Sequence, residues 1–152
     1  MADKTFLSWP FFEDRHRALA ADLDSWAQDA LAYIDHSDTD AACRGLVSSL
    51  GAAGWTQHSG AMAGEALDVR TLCLIRETLA RHDGLADFAF AMQGLGTGAI
   101  SLFGSDAQKS KWLSKTRKGE AISAFALTEP QSGSDVASSS MTATLDGDDY
   151  VL

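Results

Sequence analysis

The chain has 152 residues, of which 45% are hydrophobic and 22% charged, with only two prolines. This length and composition predict a compact globular domain that buries about two thirds of the surface its unfolded form exposes, and they exclude a low-complexity chain. The formal net charge of −9, from 21 acidic against 12 basic residues, disfavours nonspecific binding to nucleic acid or to anionic lipid, since both require clustered Lys and Arg.

The sequence shows no targeting or membrane segment. Residues 1–5 lack the basic and then apolar pattern of a signal peptide, and no apolar run approaches the ~20 residues that span a bilayer. Cys43 and Cys73 have neither disulfide nor metal-ligand spacing and are predicted to be reduced thiols in the core. The histidines show no triad or metal spacing and are predicted to lie at the surface: His16, His36, His58 and His82. We expect a cytoplasmic protein without a metal site.

Three amphipathic helices are predicted in the first half of the chain. Apolar residues recur at every third or fourth position from about Phe12 to Ile34, and again from Asp40 to Ala53. A third helix runs to about His82, and Asp68 is its predicted N-cap. All three helices are interpreted as structural.

A fourth helix is predicted from about Leu85 to Phe103. Its apolar residues are Phe88, Met92, Leu95, Ala99 and Leu102. Three glycines interrupt it, at 94, 96 and 98, and each costs about 1 kcal/mol relative to alanine in a helix interior. Two reasons for these glycines remain open: close packing against another helix, or a ligand that lies alongside this one.

A short fifth helix follows, in which Ser105 and Gln108 form a capping box and which ends near Gly119. It carries the basic cluster of the chain: Lys109, Lys111, Lys115, Arg117 and Lys118. A solvated helix face is favoured over a patch that steers an anionic substrate. Beyond the helix, Ile122–Leu127 and Met141–Leu145 are predicted strands, and residues 146–149 form a hairpin turn into a last strand.

The most informative run lies between these strands: Phe125-Ala126-Leu127-Thr128-Glu129-Pro130-Gln131-Ser132-Gly133-Ser134-Asp135. A Gly- and Ser-rich turn after an apolar strand brings backbone close to a flat polar cofactor and its phosphates. The run resembles the flavin-binding signature of the acyl-CoA dehydrogenase family. A chance match at its six fixed positions is on the order of one in ten million per start position. Residues 104–113 and 119–122 also resemble the segments that precede this signature.

The resemblance, which covers residues 85–152 with specific motifs, implies the fold class. The expected architecture is mainly α: an amino-terminal α-helical bundle domain over residues 1–120, followed over 121–152 by the first strands of a middle β-barrel domain. The family's carboxyl-terminal four-helix bundle has no counterpart in this sequence. Because the chain stops on a predicted strand without a partner, we expect the sequence to be incomplete. The resemblance implies a homo-oligomer for the complete protein.

The same resemblance implies an FAD-dependent enzyme that oxidises an acyl-CoA thioester to its trans-2-enoyl form, with an electron-transfer flavoprotein as the expected acceptor. Phe125, Ala126 and Leu127 are then expected along the isoalloxazine ring, with Thr128 at its pyrimidine edge. Gly133 and Ser134 are expected at the FAD pyrophosphate, and Ser134 also at the CoA moiety. Acyl-pocket walls are expected on the fourth helix, at Ala91, Met92, Leu95 and Gly98.

No residue of this chain inherits the catalytic base, which in most members lies in the carboxyl-terminal bundle. Glu129 is given a structural role because Pro130 follows it in the turn. The 152 residues alone are therefore expected to be inactive and to bind FAD poorly. Two alternatives stay open: another flavoenzyme on the same scaffold (an acyl-CoA oxidase, nitroalkane oxidase or flavin monooxygenase), or a non-catalytic helical module for binding or dimerisation.

Overall fold

Five α-helices and then an antiparallel hairpin make up the regular structure of residues 3–152, the part of the chain that the computed structural model describes. Three short 3-10 helices lie before the first helix, after the second, and at Val136–Ser138. The helices are α1 (Asp14–Ala30), α2 (Thr39–Ala52), α3 (Val69–His82), α4 (Gly84–Phe103) and α5 (Asp106–Thr116), and the strands are β1 (Thr144–Asp146) and β2 (Asp149–Val151).

Local side chains set the helix starts. Asp68 accepts hydrogen bonds from the Arg70 and Thr71 amides at the start of α3, which confirms it as the N-cap. At α5, the Ser105 hydroxyl accepts from the Gln108 amide while the Gln108 side chain accepts from the Ser105 amide, so the predicted capping box is also confirmed. Asp83 begins α4 in the same way, one residue after α3 ends.

The core lies among α1, α2, α3 and α4, whose inner faces carry large aliphatic and aromatic side chains. Leu23, Leu50, Ile75, Leu79 and Phe90 are each at most 1% exposed. Helix α3 packs against both α1 and α4, and α2 packs against α4. At about 1.5–3 kcal/mol per fully buried large apolar side chain, this cluster is the main source of stability for the helical part.

Helix α4 turns a partly polar face inward. The residues buried on it are Ala86, Ala89, Phe90, Gln93, Thr97 and Ser101. Three of the apolar residues of this helix, Phe88, Leu95 and Leu102, are more than half exposed. Apart from Phe90, the side chains on this inner face are small or hydrogen-bonded.

Two predictions about burial are wrong. His16 is fully buried instead of lying at the surface: its Nδ1 accepts from the Glu13 amide at 3.0 Å and its Nε2 lies 3.1 Å from the Asp68 carboxylate. Cys73 is exposed and Cys43 is half-buried, so neither thiol lies in the core. Cys73 lies on the exposed side of α3, and His16 is buried through its contacts with Glu13 and Asp68.

The chain beyond α5 is only partly a sheet. Residues 122–127 were predicted to form a strand but pair with no strand among the described residues. The predicted hairpin is present, with Thr144 opposite Val151 and Asp146 opposite Asp149. Gly147 takes the left-handed conformation that this turn requires, with φ of +63°. Within residues 3–152, no helix is both long enough and apolar enough to cross a bilayer.

Candidate functional site

The segment that leads into the flavin-signature run lies directly on α4. The Ser123 amide donates to the Gln93 Oε1 at 2.8 Å, and the Ser123 hydroxyl lies 3.0 Å from the backbone oxygens of both Met92 and Gln93. A Cβ placed at Gly96 would stand 2.7 Å from the backbone nitrogen and oxygen of Ala124. The glycine therefore allows residues 123 and 124 to lie against bare helix backbone.

Beyond this anchor, the apolar part of the signature faces outward. Phe125 is 49% exposed and Leu127 is 40% exposed, and Ala126 and Thr128 are exposed as well. The four residues predicted to line an isoalloxazine ring thus form a continuous, accessible stretch. An exposed apolar stretch of this kind is a surface for contact with another group.

The turn after Thr128 has a defined backbone. The Glu129 amide donates to the Ser132 oxygen at 2.8 Å, and the Ser132 amide donates back to the Glu129 oxygen at 3.1 Å. Ser132, only 3% exposed, donates its hydroxyl proton to the Asp135 oxygen at 2.6 Å. These bonds hold Gly133 and Ser134 at the outside of the turn.

Glu129 holds the turn to the chain that follows it. Its carboxylate accepts from the backbone amides of Ser140 at 2.8 Å and Met141 at 3.0 Å, and from the Ser140 hydroxyl at 3.0 Å. These backbone hydrogen bonds, Ser140 first, lower the pKa of Glu129. With its acceptor capacity used in this way, Glu129 has the structural geometry predicted for it.

The donors expected at a cofactor are free. Within residues 3–152, the Thr128 hydroxyl, the Gly133 amide and the amide and hydroxyl of Ser134 have no intramolecular hydrogen-bond partner. A Cβ at Gly133 would meet no atom within 4 Å, although its φ is not in the left-handed region. Glycine here therefore leaves open space beside unpaired N–H groups, and this donor set fits the phosphate oxygens and carbonyl groups of a flavin nucleotide.

The four residues predicted as acyl-pocket walls do not share one surface. Ala91, Leu95 and Gly98 line a groove of about 180 Å³ along α4, together with Phe90 and Gly94. Met92 lies in a separate groove of about 220 Å³, whose other wall includes Cys43 and residues 122–124. The first groove is called here the α4 groove.

The glycines of α4 differ in what surrounds them. At Gly94 a Cβ would lie 3.0 Å from the Ser59 oxygen, and at Gly96 it would collide with Ala124, so both positions support close packing. A Cβ at Gly98 would meet nothing within 4 Å, and this residue lines the α4 groove. Close packing therefore explains Gly94 and Gly96, whereas a ligand alongside the helix stays a prediction at Gly98.

Gln93 was not identified from the sequence, although its side chain hydrogen-bonds to Thr116, Ala121 and Ser123 beside the site. The one available signal is a long amide side chain inside an otherwise apolar helix. The basic cluster is also less uniform than the sequence indicated, because Arg117 pairs with Glu65 at 2.8 Å while Lys111 lies over the Trp112 ring.

Comparison with known proteins decides the family. The family model described as "Acyl-CoA dehydrogenase, N-terminal domain" matches residues 13–120, more than half of the chain. The chain belongs to the acyl-CoA dehydrogenase family. This agrees with the resemblance carried by the signature run and with the mainly helical fold followed by the first strands of a β-domain.

Individual relatives support the same assignment. A probable acyl-CoA dehydrogenase of Bacillus subtilis is 35% identical over 152 residues, which cover 93% of this chain and 25% of the relative. The very long-chain specific acyl-CoA dehydrogenase of rat mitochondria is 40% identical over 93 residues, covering 60% of this chain and 14% of the relative.

A solved structure extends the likeness over the whole fold. The acyl-CoA dehydrogenase of Bacillus anthracis, crystallised with FAD, has a TM-score of 0.74 and 29% sequence identity to this chain. The match covers 99% of this chain and 29% of that one. The chain thus spans about a quarter of the length of the Bacillus family members that it matches.

Proposed function

We propose that the protein to which this chain belongs is an FAD-dependent acyl-CoA dehydrogenase, which oxidises an acyl-CoA thioester to the trans-2-enoyl-CoA. One observation carries the proposal: the signature run presents an exposed apolar stretch, residues 125–128, next to the unpaired donors of Gly133 and Ser134. An apolar surface beside anion-accepting N–H groups suits a ligand with a flat ring at one end and phosphates at the other.

In this proposal, the residues of the chain bind the flavin and the CoA substrate and orient them. Phe125, Ala126 and Leu127 lie along the ring of the flavin, and Thr128 donates its hydroxyl hydrogen to a ring carbonyl or accepts from a ring N–H. Gly133 and Ser134 donate to the pyrophosphate, and Ser134 also contacts the CoA. Each neutral hydrogen bond contributes about 0.5–1.5 kcal/mol. When bound, FAD supplies the two-electron chemistry, which side chains cannot perform.

The α4 groove is the proposed site of the acyl chain. Its walls are formed by the apolar side chains of Ala91 and Leu95 and by the backbone of Gly98. Because Ala91 and Gly98 are small, they leave room for an acyl chain along the helix. Burial of methylene groups there contributes about 0.8 kcal/mol each. Met92 lies outside this groove and is not included in the proposed acyl site.

The remaining parts of the proposal concern the complete protein. The helical domain extends to residue 120 and the β-domain begins at 121, which is supported by the end of α5 at Thr116, after which the described chain has no further α-helix. The electrons pass to an electron-transfer flavoprotein, and the complete protein is a homo-oligomer. The base that removes the α-proton is not assigned to any of the described residues.

The test uses the protein expressed from its complete reading frame. We expect visible flavin absorbance in the purified protein, bleaching when an acyl-CoA is added without oxygen, and slow recovery in air. Ser134→Ala should weaken FAD binding several-fold, whereas Ser139→Ala, an exposed serine beyond the turn, should not. A purified protein that neither contains nor binds flavin would contradict the proposal, and rapid reoxidation by air would identify an oxidase instead.

A further inference from the structure

Gln93 is a buried amide at the junction of α4, α5 and the segment that leads to the signature run. Its side chain is 1% exposed. Its Nε2 donates to the Thr116 oxygen at 3.1 Å and to the Ala121 oxygen at 2.9 Å. Its Oε1 accepts from the Ser123 amide at 2.8 Å.

The chemistry of the partners fixes the orientation of this amide. The Ser123 backbone N–H can only donate, so it must face Oε1, and the oxygens of Thr116 and Ala121 can only accept, so they must face the NH₂ group. Both donor hydrogens of Gln93 are therefore used. No aliphatic side chain satisfies these three backbone groups, and a buried group left without its partner destabilises the structure.

The contacts of Gln93 hold a particular piece of chain. Ala121 and Ser123 are joined to the Gln93 side chain, the Ser123 hydroxyl lies against the α4 backbone, and Ala124 rests on Gly96. Phe125 follows immediately. Because consecutive Cα atoms are 3.8 Å apart, the first residue of the exposed apolar stretch lies within about 8 Å of the anchored Ser123 Cα.

Among the described residues, no strand supports the segment 122–127 with sheet hydrogen bonds, and its side chains beyond Ser123 are exposed. A single segment without sheet hydrogen bonds is mobile unless other groups fix it. The hydrogen bonds to α4 are what fixes it here.

We infer that Gln93 is a positioning residue of the flavin site: its amide fixes residues 121–124 on α4 and thereby sets the place and angle at which residues 125–128 meet the flavin ring. The inference rests on the proposed function, since it names what holds the flavin-facing segment. Gln93 does not touch the flavin itself, and its effect passes through the backbone.

The experiment compares two variants of the complete, FAD-loaded protein. Gln93→Met keeps a long unbranched side chain but removes every hydrogen bond of the amide. Leu79→Ala creates a cavity in the core on α3, away from residues 121–124. Melting temperature, FAD dissociation constant and the shape of the visible flavin band are measured for each. Hydrogen exchange of residues 121–128 is measured without FAD.

We expect Gln93→Met to weaken FAD binding by at least ten-fold, to alter the flavin band and to speed exchange in residues 121–128. Leu79→Ala should lower the melting temperature while its flavin band stays as in the wild type. If Gln93→Met keeps wild-type FAD affinity and spectrum, or if Leu79→Ala alters both as much, the inference is overturned.

A milder variant covers the case in which Gln93→Met does not fold. Ser123→Ala removes only the hydroxyl contacts to α4 and should weaken FAD binding about three-fold with the same change in the flavin band; an unchanged affinity and band would count against the inference. Failure of the proposed function is recognised separately, because the wild-type protein itself would then bind no flavin.

Discussion

Gly96 and Ala124 lie so close that no side chain fits between them: a Cβ at Gly96 would stand 2.7 Å from both the backbone nitrogen and the backbone oxygen of Ala124. Two pieces of backbone are in direct contact at this point, one in the middle of α4 and one just before the signature run. A real Cβ does not approach other heavy atoms so closely, and the segment would have to shift.

Gly96→Ala should therefore displace the signature run. Although alanine is the better helix former by about 1 kcal/mol, the overlap with Ala124 outweighs this gain, and we expect lower stability and FAD binding weakened at least five-fold. Gly98→Ala is the matched control, because the new methyl group meets nothing within 4 Å. It should retain FAD affinity. Equal FAD affinity in the two variants, measured by titration, would contradict the contact.

A second pair of glycines tests packing on α2. A Cβ at Gly51 would overlap the Lys118 carbonyl and lie 2.5 Å from the Gly119 nitrogen, whereas Gly45 on the same helix has open space around it. We expect Gly51→Ala to lower the free energy of unfolding by about 1–3 kcal/mol. Gly45→Ala should raise it by about 0.5–1 kcal/mol. Denaturant unfolding measures both, and changes of the same sign would show that the α2–Gly119 contact is wrong.

The carboxylate of Glu129 is expected to keep the signature turn in shape. Glu129→Ala removes the acceptor for the amides of Ser140 and Met141, so these amides should exchange their hydrogens at least ten-fold faster and FAD binding should weaken. Glu120→Ala is the control, since Glu120 is exposed and makes no side-chain hydrogen bond within the described residues. Unchanged exchange at residues 140 and 141 in Glu129→Ala would exclude this role.

Two alanine-to-leucine substitutions on α4 test the proposed acyl site. Ala91→Leu fills the α4 groove, whereas Ala99→Leu places the same side chain at an exposed position outside both grooves. In the complete enzyme, we expect Ala91→Leu to raise the KM for a long acyl-CoA by at least five-fold while the flavin spectrum stays unchanged. Ala99→Leu should leave the KM within a factor of two. An equal KM for both variants would place the acyl chain elsewhere.

Stability should fall in acid because of Asp68. Burial tends to raise the pKa of this carboxyl, but hydrogen bonds from Thr71, His16 and Arg15 outweigh burial and hold the pKa well below its ordinary value of about 3.9. Since the folded pKa is the lower one, the folded state gains stability from this ionisation above about pH 4 and loses it as the pH falls further.

Melting temperatures between about pH 6 and pH 2 test the effect. Asn is also a good N-cap, so Asp68→Asn can still cap α3 while it removes the titrating group. This variant should be less stable than the wild type at neutral pH, and its melting temperature should fall less steeply in acid. If the melting temperatures of the two proteins fall in parallel with pH, Asp68 does not contribute to the loss of stability in acid.

The elements that the sequence predicted well depend on residues close together in the chain. The Asp68 cap and the Ser105–Gln108 box each act within three residues of the helix start, and the hairpin depends on Gly147 at one turn position. The signature run belongs to the same group, since its six fixed residues lie within eight positions. Short-range geometry of this kind determines caps, turns and the family assignment.

Other features depend on which elements meet in space, and these the sequence did not determine. Residues 122–127 have the composition of a strand, but a strand requires a hydrogen-bonded neighbour, and α4 lies there instead. The apolar side chains of Leu95 and Leu102 are more than half exposed, whereas the polar Gln93 on the same helix is buried. The partners of Gln93 are 23 to 30 residues away along the chain. Tertiary packing therefore decided which side chains are buried, which residues line the grooves and what anchors the signature run. The reason is that the atoms surrounding a side chain come from distant parts of the chain.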